Sequence, residues 1–274
     1  MALHAWLDRK ATVTNSARAE FERDGWRVFR QAIEADEIQW MRSCYRGAIK
    51  EYAEIPPPNN HPQWEPALSL LVYDAWHSNP LLQPIALSAH LAGMAASLLG
   101  VPRVRLYTEQ ILLKGPGRAA SQWHQDGNEL PVDPESLVTC WIPLVRVTPE
   151  MGTPSFASRS HLEGLTKFDH DVLADQHVFF EQLIRERGFE VASSLSYEVG
   201  DISFHHGLTL HSAGANISEV ARESIALVYV ADGTRVLPPR TPGQKAELMQ
   251  VLRGLIPGDP VGGVLHPIVF DRDA

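Results

Sequence analysis

The stretch RVRLYTEQILLKGPGRAASQWHQD, residues 103–126, places a strand, a turn and a candidate metal-binding triplet one after another. Apolar residues recur along 103–114 as in a strand, and Gly-Pro-Gly at 115–117 ends it. In the extended segment that follows, residues two apart point to the same face, so His124 and Asp126 can both reach one ion. The triplet alone is weak evidence, because a chain with 12 histidines can contain His-x-Asp by accident.

A third metal ligand is available in the segment FHHGLTLH, residues 204–211, which offers His205, His206 and His211. Two histidines and one carboxylate leave open coordination positions, an arrangement typical of Fe(II) sites that activate dioxygen. The sequence that follows favours His211, because Arg222 lies 11 residues further on and Ser224 comes 2 residues after it. A strand, a loop and a returning strand fit that interval, and an arginine fork with a hydroxyl on the same strand face suits a carboxylate. The spacing therefore predicts a carboxylate-binding site near the metal.

The remaining periodicity predicts helices early in the chain and short strands after them. Helices are expected over 16–23, 34–52, 79–99, 175–187 and 244–253, and strands over 26–29, 138–145, 197–204 and 224–230. The proline-rich residues 55–66 predict an irregular loop. This order indicates a mainly β chain of the α+β class, with an antiparallel sandwich or barrel and flanking helices.

We expect one domain over residues 1–274. It would comprise a helical part at about 15–100, a β core at about 101–237 and a C-terminal helix and tail at 238–274.

Several short motifs together resemble the phytanoyl-CoA dioxygenase family of Fe(II)- and 2-oxoglutarate-dependent oxygenases. The resemblance extends over about residues 21–237 and rests on the His-x-Asp, His and Arg-x-Ser spacing. It is reinforced by WHQD (123–126), TCWIPL (139–144), GT (152–153), SH (160–161), GD (200–201) and HSAGAN (211–216). The chain departs from the family at 158–161, where SRSH replaces the common Pro-Gly-Ser-His turn.

The resemblance implies a double-stranded β-helix, or cupin-like jelly roll, with Fe(II) near its mouth, 2-oxoglutarate chelating the metal and dioxygen as the oxidant. It also implies roles for individual residues. The implied metal ligands are His124, Asp126 and His211, and the implied cosubstrate residues are Arg222, Ser224, Trp141 and Thr153. Core packing competes with the role of Trp141, and a hydrogen bond to the backbone competes with that of Ser224.

Other polar and aromatic residues lie near these motifs. Gln110 and Lys114 share one face of their strand. Contact with the cosubstrate or substrate is one interpretation of that face, but we expect it to point outward. His205 and His206 are expected to shape the site or cap a strand. An aromatic set near the proline-rich loop is interpreted as core or as a lid over a substrate; it comprises Trp64, Tyr73, Trp76 and Tyr107.

Composition excludes several classes of partner. A net charge of -9 provides no positive field to gather nucleic acid or anionic lipid, so a small-molecule substrate is expected. No stretch approaches the roughly 20 apolar residues of a membrane span. Cys44 and Cys140 lack any ligand or disulfide spacing, and a reducing cytoplasm is the expected compartment.

The predicted function is hydroxylation of an unactivated C–H bond in a small metabolite, with secondary metabolism as the hypothesis for its setting. Asp126 disfavours halogenation, because related halogenases have a small residue there. Two alternatives stay open: a cupin-like metal hydrolase or isomerase, and a jelly roll that binds a ligand without catalysis. The Arg222–Ser224 pair disfavours the first and the complete triad disfavours the second. The sequence does not indicate an oligomeric state.

Overall fold

The computed structural model describes residues 4–53, 69–166 and 176–274, so the predicted loop at 55–66 and Trp64 lie outside the described residues. Within these ranges the helices are α1 (Asn15–Asp24), α2 (Ala35–Ala53), α3 (Gln83–Ala86), α4 (Ala89–Leu99), α5 (Asp126–Glu129), α6 (Gln176–Arg187) and α7 (Pro242–Gln250). The strands are β1 (Trp26–Phe29), β2 (Ser69–Tyr73), β3 (Arg103–Lys114), β4 (Ser121–His124), β5 (Leu137–Pro143), β6 (Pro154–Ala157), β7 (Val191–Ala192), β8 (Ile202–His206), β9 (His211–Ala213), β10 (Arg222–Ala231) and β11 (Ile268–Asp271).

The strands form two antiparallel sheets. The major sheet has the order β1-β8-β5-β10-β3-β11, with β2 also paired to β3, and the minor sheet has the order β4-β9-β6-β7. This sheet-rich arrangement with flanking helices confirms the predicted jelly-roll class, although the strands do not close into a barrel.

The major sheet carries helices on its outer face and the candidate site on its inner face. Side chains alternate between the two faces along each strand. On β5, Cys140 and Ile142 belong to the main hydrophobic core with α2 and α4, whereas Thr139 and Trp141 point the other way and line a cavity. Both faces of β5 and β10 are therefore covered. This explains why the sequences of these strands are nearly continuous in apolar residues.

The predicted helix at 79–99 is wrong in one respect, because the structure divides it into α3 and α4. Ser88 lies between them, and its hydroxyl accepts a hydrogen bond from the Leu91 backbone at 3.3 Å as an N-cap. The same hydroxyl donates to the Leu7 carbonyl at 3.2 Å, so the break also anchors the N-terminal segment. Gly100 ends α4 in the left-handed conformation, as the sequence predicted.

The major sheet draws strands from beyond the predicted β core at 101–237. β1 pairs with β8, β2 pairs with β3, and β11 near the C-terminus also pairs with β3. The single-domain organisation stays a prediction, but these pairings connect its three expected parts.

Two composition-based expectations can be compared with the described residues. Cys44 and Cys140 are both buried and free. None of the helices within the described ranges is long and apolar enough to cross a membrane.

Candidate active site

The three predicted metal ligands lie together at one end of the minor sheet. His124 ends β4, His211 begins β9, and these two residues are directly paired across the strands. Asp126 begins α5 two residues later, and its Oδ1 lies 3.8 Å from His124 Nε2 and 3.6 Å from His211 Nε2. One ligand atom from each residue lies within 4.8 Å of the others. Nitrogen and carboxylate donors in this set suit a divalent transition metal such as iron.

Backbone hydrogen bonds orient both imidazoles toward the carboxylate. His124 Nδ1 donates to the Gln122 carbonyl at 2.8 Å, and His211 Nδ1 donates to the Thr209 carbonyl at 2.9 Å. A carbonyl can only accept, so each Nδ1 carries the proton and each Nε2 keeps its lone pair for a metal. Burial, together with the neighbouring His124, lowers the pKa of His211 well below its usual value.

The second oxygen of Asp126 is already occupied. Thr139 Oγ1 donates to Oδ2 at 2.6 Å, and His205 Nε2 donates to the same oxygen at 3.2 Å. Burial opposes ionisation of Asp126, but His211 and the hydrogen bond from His205 outweigh it and hold the pKa of the carboxyl below its usual range. The carboxylate is therefore ionised, and its Oδ1 faces the Nε2 atoms of His124 and His211.

His205 and His206 are not part of the three-ligand cluster. His205 is 5% exposed and shapes the site through Asp126, as the sequence analysis expected. His206 Nδ1 accepts a hydrogen bond from the Leu208 backbone at 3.2 Å and so stabilises the turn before β9.

A cavity of about 180 Å³ extends from the metal cluster to Arg222 between the two sheets. Arg222 is 5% exposed, and its Nη1 donates to the Gly152 carbonyl. Among the described residues no hydrogen-bond partner is found for its buried Nε. Burial lowers the pKa of Arg222 to about 10, so the guanidinium is charged at neutral pH. An orphaned, charged donor group at the end of a cavity fits an anionic ligand.

Lys114 adds a second cation beside Arg222, and here the predicted outward orientation is wrong. Lys114 pairs directly with Arg222 across β3 and β10, is 7% exposed and donates to the Gly214 carbonyl at 2.9 Å. Burial and the charge of Arg222 lower the pKa of Lys114 to about 8. No carboxylate in the described part of the chain forms an ion pair with either cation. Gln110, on the same strand face, lines the cavity, whereas Lys114 is not among its lining residues.

The remaining predicted cosubstrate residues differ in where they lie. Trp141 lines the cavity, with the Arg222 guanidinium carbon 5.6 Å from its ring centre. Ser224 is buried and donates to the Leu112 carbonyl at 3.2 Å, and Thr153 is also buried; neither is among the residues that line the cavity. Their contact with a cosubstrate stays a prediction.

Two residues of the site, Thr139 and Lys114, were not assigned from the sequence. Thr139 could have been found, because it lies two residues before Trp141 in a strand and so shares its face. The direction of Lys114 had no comparable signal.

The fold and this geometry define the class: a jelly-roll protein with a candidate two-histidine, one-carboxylate metal centre. Residues 21–224, most of the chain, match the family model described as Phytanoyl-CoA dioxygenase. The chain therefore belongs to the phytanoyl-CoA dioxygenase family of Fe(II)- and 2-oxoglutarate-dependent oxygenases, which confirms the resemblance seen in the sequence.

Relatives and solved structures agree with this family. A probable alpha-ketoglutarate-dependent hypophosphite dioxygenase of Stutzerimonas stutzeri is 28% identical over 133 residues, which cover 47% of this chain and 46% of that protein. The chain thus matches about half the length of this curated relative.

The solved structures support the fold over most of the chain. The epimerase SnoN in complex with Fe³⁺, alpha ketoglutarate and nogalamycin RO has a TM-score of 0.75 and 24% identity, and covers 93% of this chain and 97% of its own. The carbocyclase SnoK from nogalamycin biosynthesis has a TM-score of 0.73 and 24% identity, with 93% and 96% covered. EctD from S. alaskensis with 2-oxoglutarate and 5-hydroxyectoine has a TM-score of 0.67 and 20% identity, with 83% and 79% covered.

Proposed function

We propose that this protein is an Fe(II)- and 2-oxoglutarate-dependent dioxygenase that hydroxylates an unactivated C–H bond of a small metabolite. One observation carries the proposal: a single cavity joins the His124, Asp126 and His211 cluster to the buried cation Arg222, beside which Lys114 is paired across the strands. A 2-oxoglutarate molecule has a keto acid at one end and a carboxylate at the other. The keto acid would bind at the metal cluster and the carboxylate at Arg222.

Each group has a distinct task in this proposal. His124, Asp126 and His211 would hold the iron, which supplies the redox chemistry that lets dioxygen attack a C–H bond. Arg222 would bind the distal carboxylate through its guanidinium group, and Lys114 would add charge to the same end. Trp141 would cover the chain of the cosubstrate and exclude water.

The proposed reaction consumes the substrate C–H, dioxygen and 2-oxoglutarate, and gives the alcohol, succinate and carbon dioxide. One oxygen atom enters succinate and the other enters the alcohol, so atoms and electrons balance. The carbocyclase and epimerase among the similar structures are named for nogalamycin biosynthesis, which supports secondary metabolism as the setting of this chain too.

Anaerobic titration with Fe(II) and then 2-oxoglutarate tests the assignment. The wild-type protein should develop the weak visible charge-transfer band of an iron-bound keto acid. His211→Ala should abolish the band. Arg222→Ala should weaken 2-oxoglutarate binding by about 100-fold, since removing a buried charged partner costs roughly 3 kcal/mol, and Lys114→Met by less.

Arg146→Ala is the matched control, because Arg146 forms an exposed ion pair with Glu198 outside this cavity. It should bind 2-oxoglutarate as the wild type does. Stoichiometric iron binding without the band would contradict the proposal and favour a metal-dependent hydrolase or isomerase.

A further inference from the structure

A second cavity, of about 370 Å³, lies on the other side of the candidate metal centre. It shares four lining residues with the cosubstrate cavity, namely Gln110, His124, Asp126 and Thr139. Two of the candidate metal ligands, His124 and Asp126, therefore lie where the two cavities meet. If 2-oxoglutarate occupies the side with Arg222, the second cavity is the space from which another molecule can approach the metal.

The far wall of this second cavity is formed by α7. Gly243, Ala246, Glu247 and Gln250 of this helix line it, and all of them lie beyond residues 21–224 that match the family. Gln244 fixes the helix in place, because its buried side chain donates to the Asn128 carbonyl of α5 at 3.1 Å. The wall is thus attached to the helix that carries Asp126.

Polar groups dominate this cavity, and their charge has one sign. Glu129 and Glu247 line it together with Tyr73, Gln110 and Gln250, and among the described residues no lysine or arginine lines it. Neither Glu129 nor Glu247 forms an ion pair with any residue in the described ranges.

The surroundings of Glu247 disfavour the ionised form of its carboxyl group. Burial raises the pKa of Glu247 to about 7. A hydrogen bond with the Tyr107 hydroxyl opposes this rise, and the carboxylates of Asp74, Glu129 and Asp126 add to it. A partly buried carboxylate among like charges is disfavoured until a cation pairs with it. A cationic ligand in the cavity would supply that missing partner.

We propose that the second cavity binds the substrate, and that the substrate is a small organic amine whose ammonium group faces Glu129 and Glu247. This inference rests on the proposed function, since it places the carbon to be oxidised at the metal end. Anions are disfavoured by the same wall. This chain is therefore expected to differ from its hypophosphite-dioxygenase relative, whose named substrate is an anion.

Calorimetric titration with matched probes tests the proposal. The probes are cyclohexylamine against cyclohexanecarboxylate, and pentylamine against hexanoate, each added to the anaerobic protein loaded with Fe(II) and saturating 2-oxoglutarate, so that the cosubstrate cavity is already filled. The amine of each pair should bind and the carboxylate should not. Glu247→Gln and Glu129→Gln should each weaken amine binding by about tenfold or more, because each removes a charge partner.

Glu186→Gln is the control, because Glu186 is exposed on α6 and lies outside the cavity. It should leave amine binding unchanged, and all three variants should retain the charge-transfer band with 2-oxoglutarate. If the band forms but carboxylates bind as well as amines, or if the glutamate variants bind amines like the wild type, the substrate inference is wrong and the oxygenase assignment stands. If the band never forms in the wild type, the proposed function fails first and the substrate inference falls with it.

Discussion

The two carboxylate oxygens of Asp126 have different partners. Oδ2 accepts hydrogen bonds from Thr139 and His205, whereas Oδ1 faces the Nε2 atoms of His124 and His211. Hydrogen bonds of this kind orient a metal ligand and limit it to one oxygen. Two histidines and one carboxylate oxygen leave positions free on an octahedral ion for a chelating cosubstrate and for dioxygen.

Removing either donor to Oδ2 should therefore weaken iron binding. We expect Thr139→Val and His205→Phe each to lower Fe(II) affinity by about 10-fold to 100-fold, because the carboxylate loses the group that orients it. Anaerobic Fe(II) titration measures this, and His205→Gln, which restores a donor, should recover part of the affinity.

Thr234→Val is the matched control for Thr139→Val. The Thr234 hydroxyl donates to the Ala231 carbonyl in a turn at the end of β10, so its loss should not change iron affinity. Equal affinity in all of these variants would show that Thr139 and His205 do not position Asp126.

Two loops that touch each other position the cations of the cosubstrate cavity. The Gly152 carbonyl accepts from Arg222, and the Gly214 carbonyl accepts from Lys114. Gly152 has a φ of +77°, and a Cβ added there would lie 2.1 Å from the Gly214 oxygen. Only glycine permits this approach, so one backbone contact connects the loop before β6 to the loop after β9.

Gly152→Ala should disturb both cations at once. We expect 2-oxoglutarate affinity to fall by about tenfold or more, because the clash displaces the carbonyls that orient Arg222 and Lys114. The urea midpoint should fall as well. Calorimetry and urea titration provide the two readings.

Gly233→Ala separates this effect from backbone strain. Gly233 has a φ of +94°, but a Cβ there would meet nothing within 4 Å. Gly233→Ala should lower the free energy of unfolding by about 1–2 kcal/mol and leave 2-oxoglutarate affinity unchanged. If the two variants lose cosubstrate affinity equally, the loop contact does not orient the cations.

The packing of helices on the major sheet encloses an acid in the core. Glu109 of β3 is fully buried, with Tyr45 of α2 beside it and the Trp76 backbone donating to its Oε2 at 3.4 Å. Burial raises the pKa of Glu109 from 4.5 to about 7. The folded protein therefore favours the protonated form of this side chain.

This shift makes folding stability depend on pH. Because the pKa is higher in the folded state, the stabilising contribution of Glu109 is complete below about pH 4.5 and is lost as the pH rises through about 7. Over this range the free energy of unfolding falls by about 3 kcal/mol in total. In urea titrations from pH 5 to 8, Glu109→Gln should therefore become more stable relative to the wild type as the pH rises.

Other carboxylates, such as Glu223, titrate in both the variant and the wild type. Their effect therefore cancels in the difference between the two free energies of unfolding. Glu186→Gln should give a flat difference over the same range. A flat difference for Glu109→Gln would show that Glu109 is ionised in the folded core without cost.

The sequence by itself determined the class of fold, the three ligand candidates and the arginine. These depend on local patterns: alternation within strands, the two-residue spacing of His124 and Asp126, and the interval from His211 to Arg222. The family match confirms the class that these motifs indicated.

The tertiary structure alone decided the direction of Lys114, the division of the predicted 79–99 helix at Ser88, and the approach of α7 to the metal centre. Strands covered on both faces carry apolar residues on both sides, so alternation cannot tell which face meets the cavity. That choice is made by cross-strand pairing and by packing between residues far apart in the chain. Local sequence patterns do not encode it.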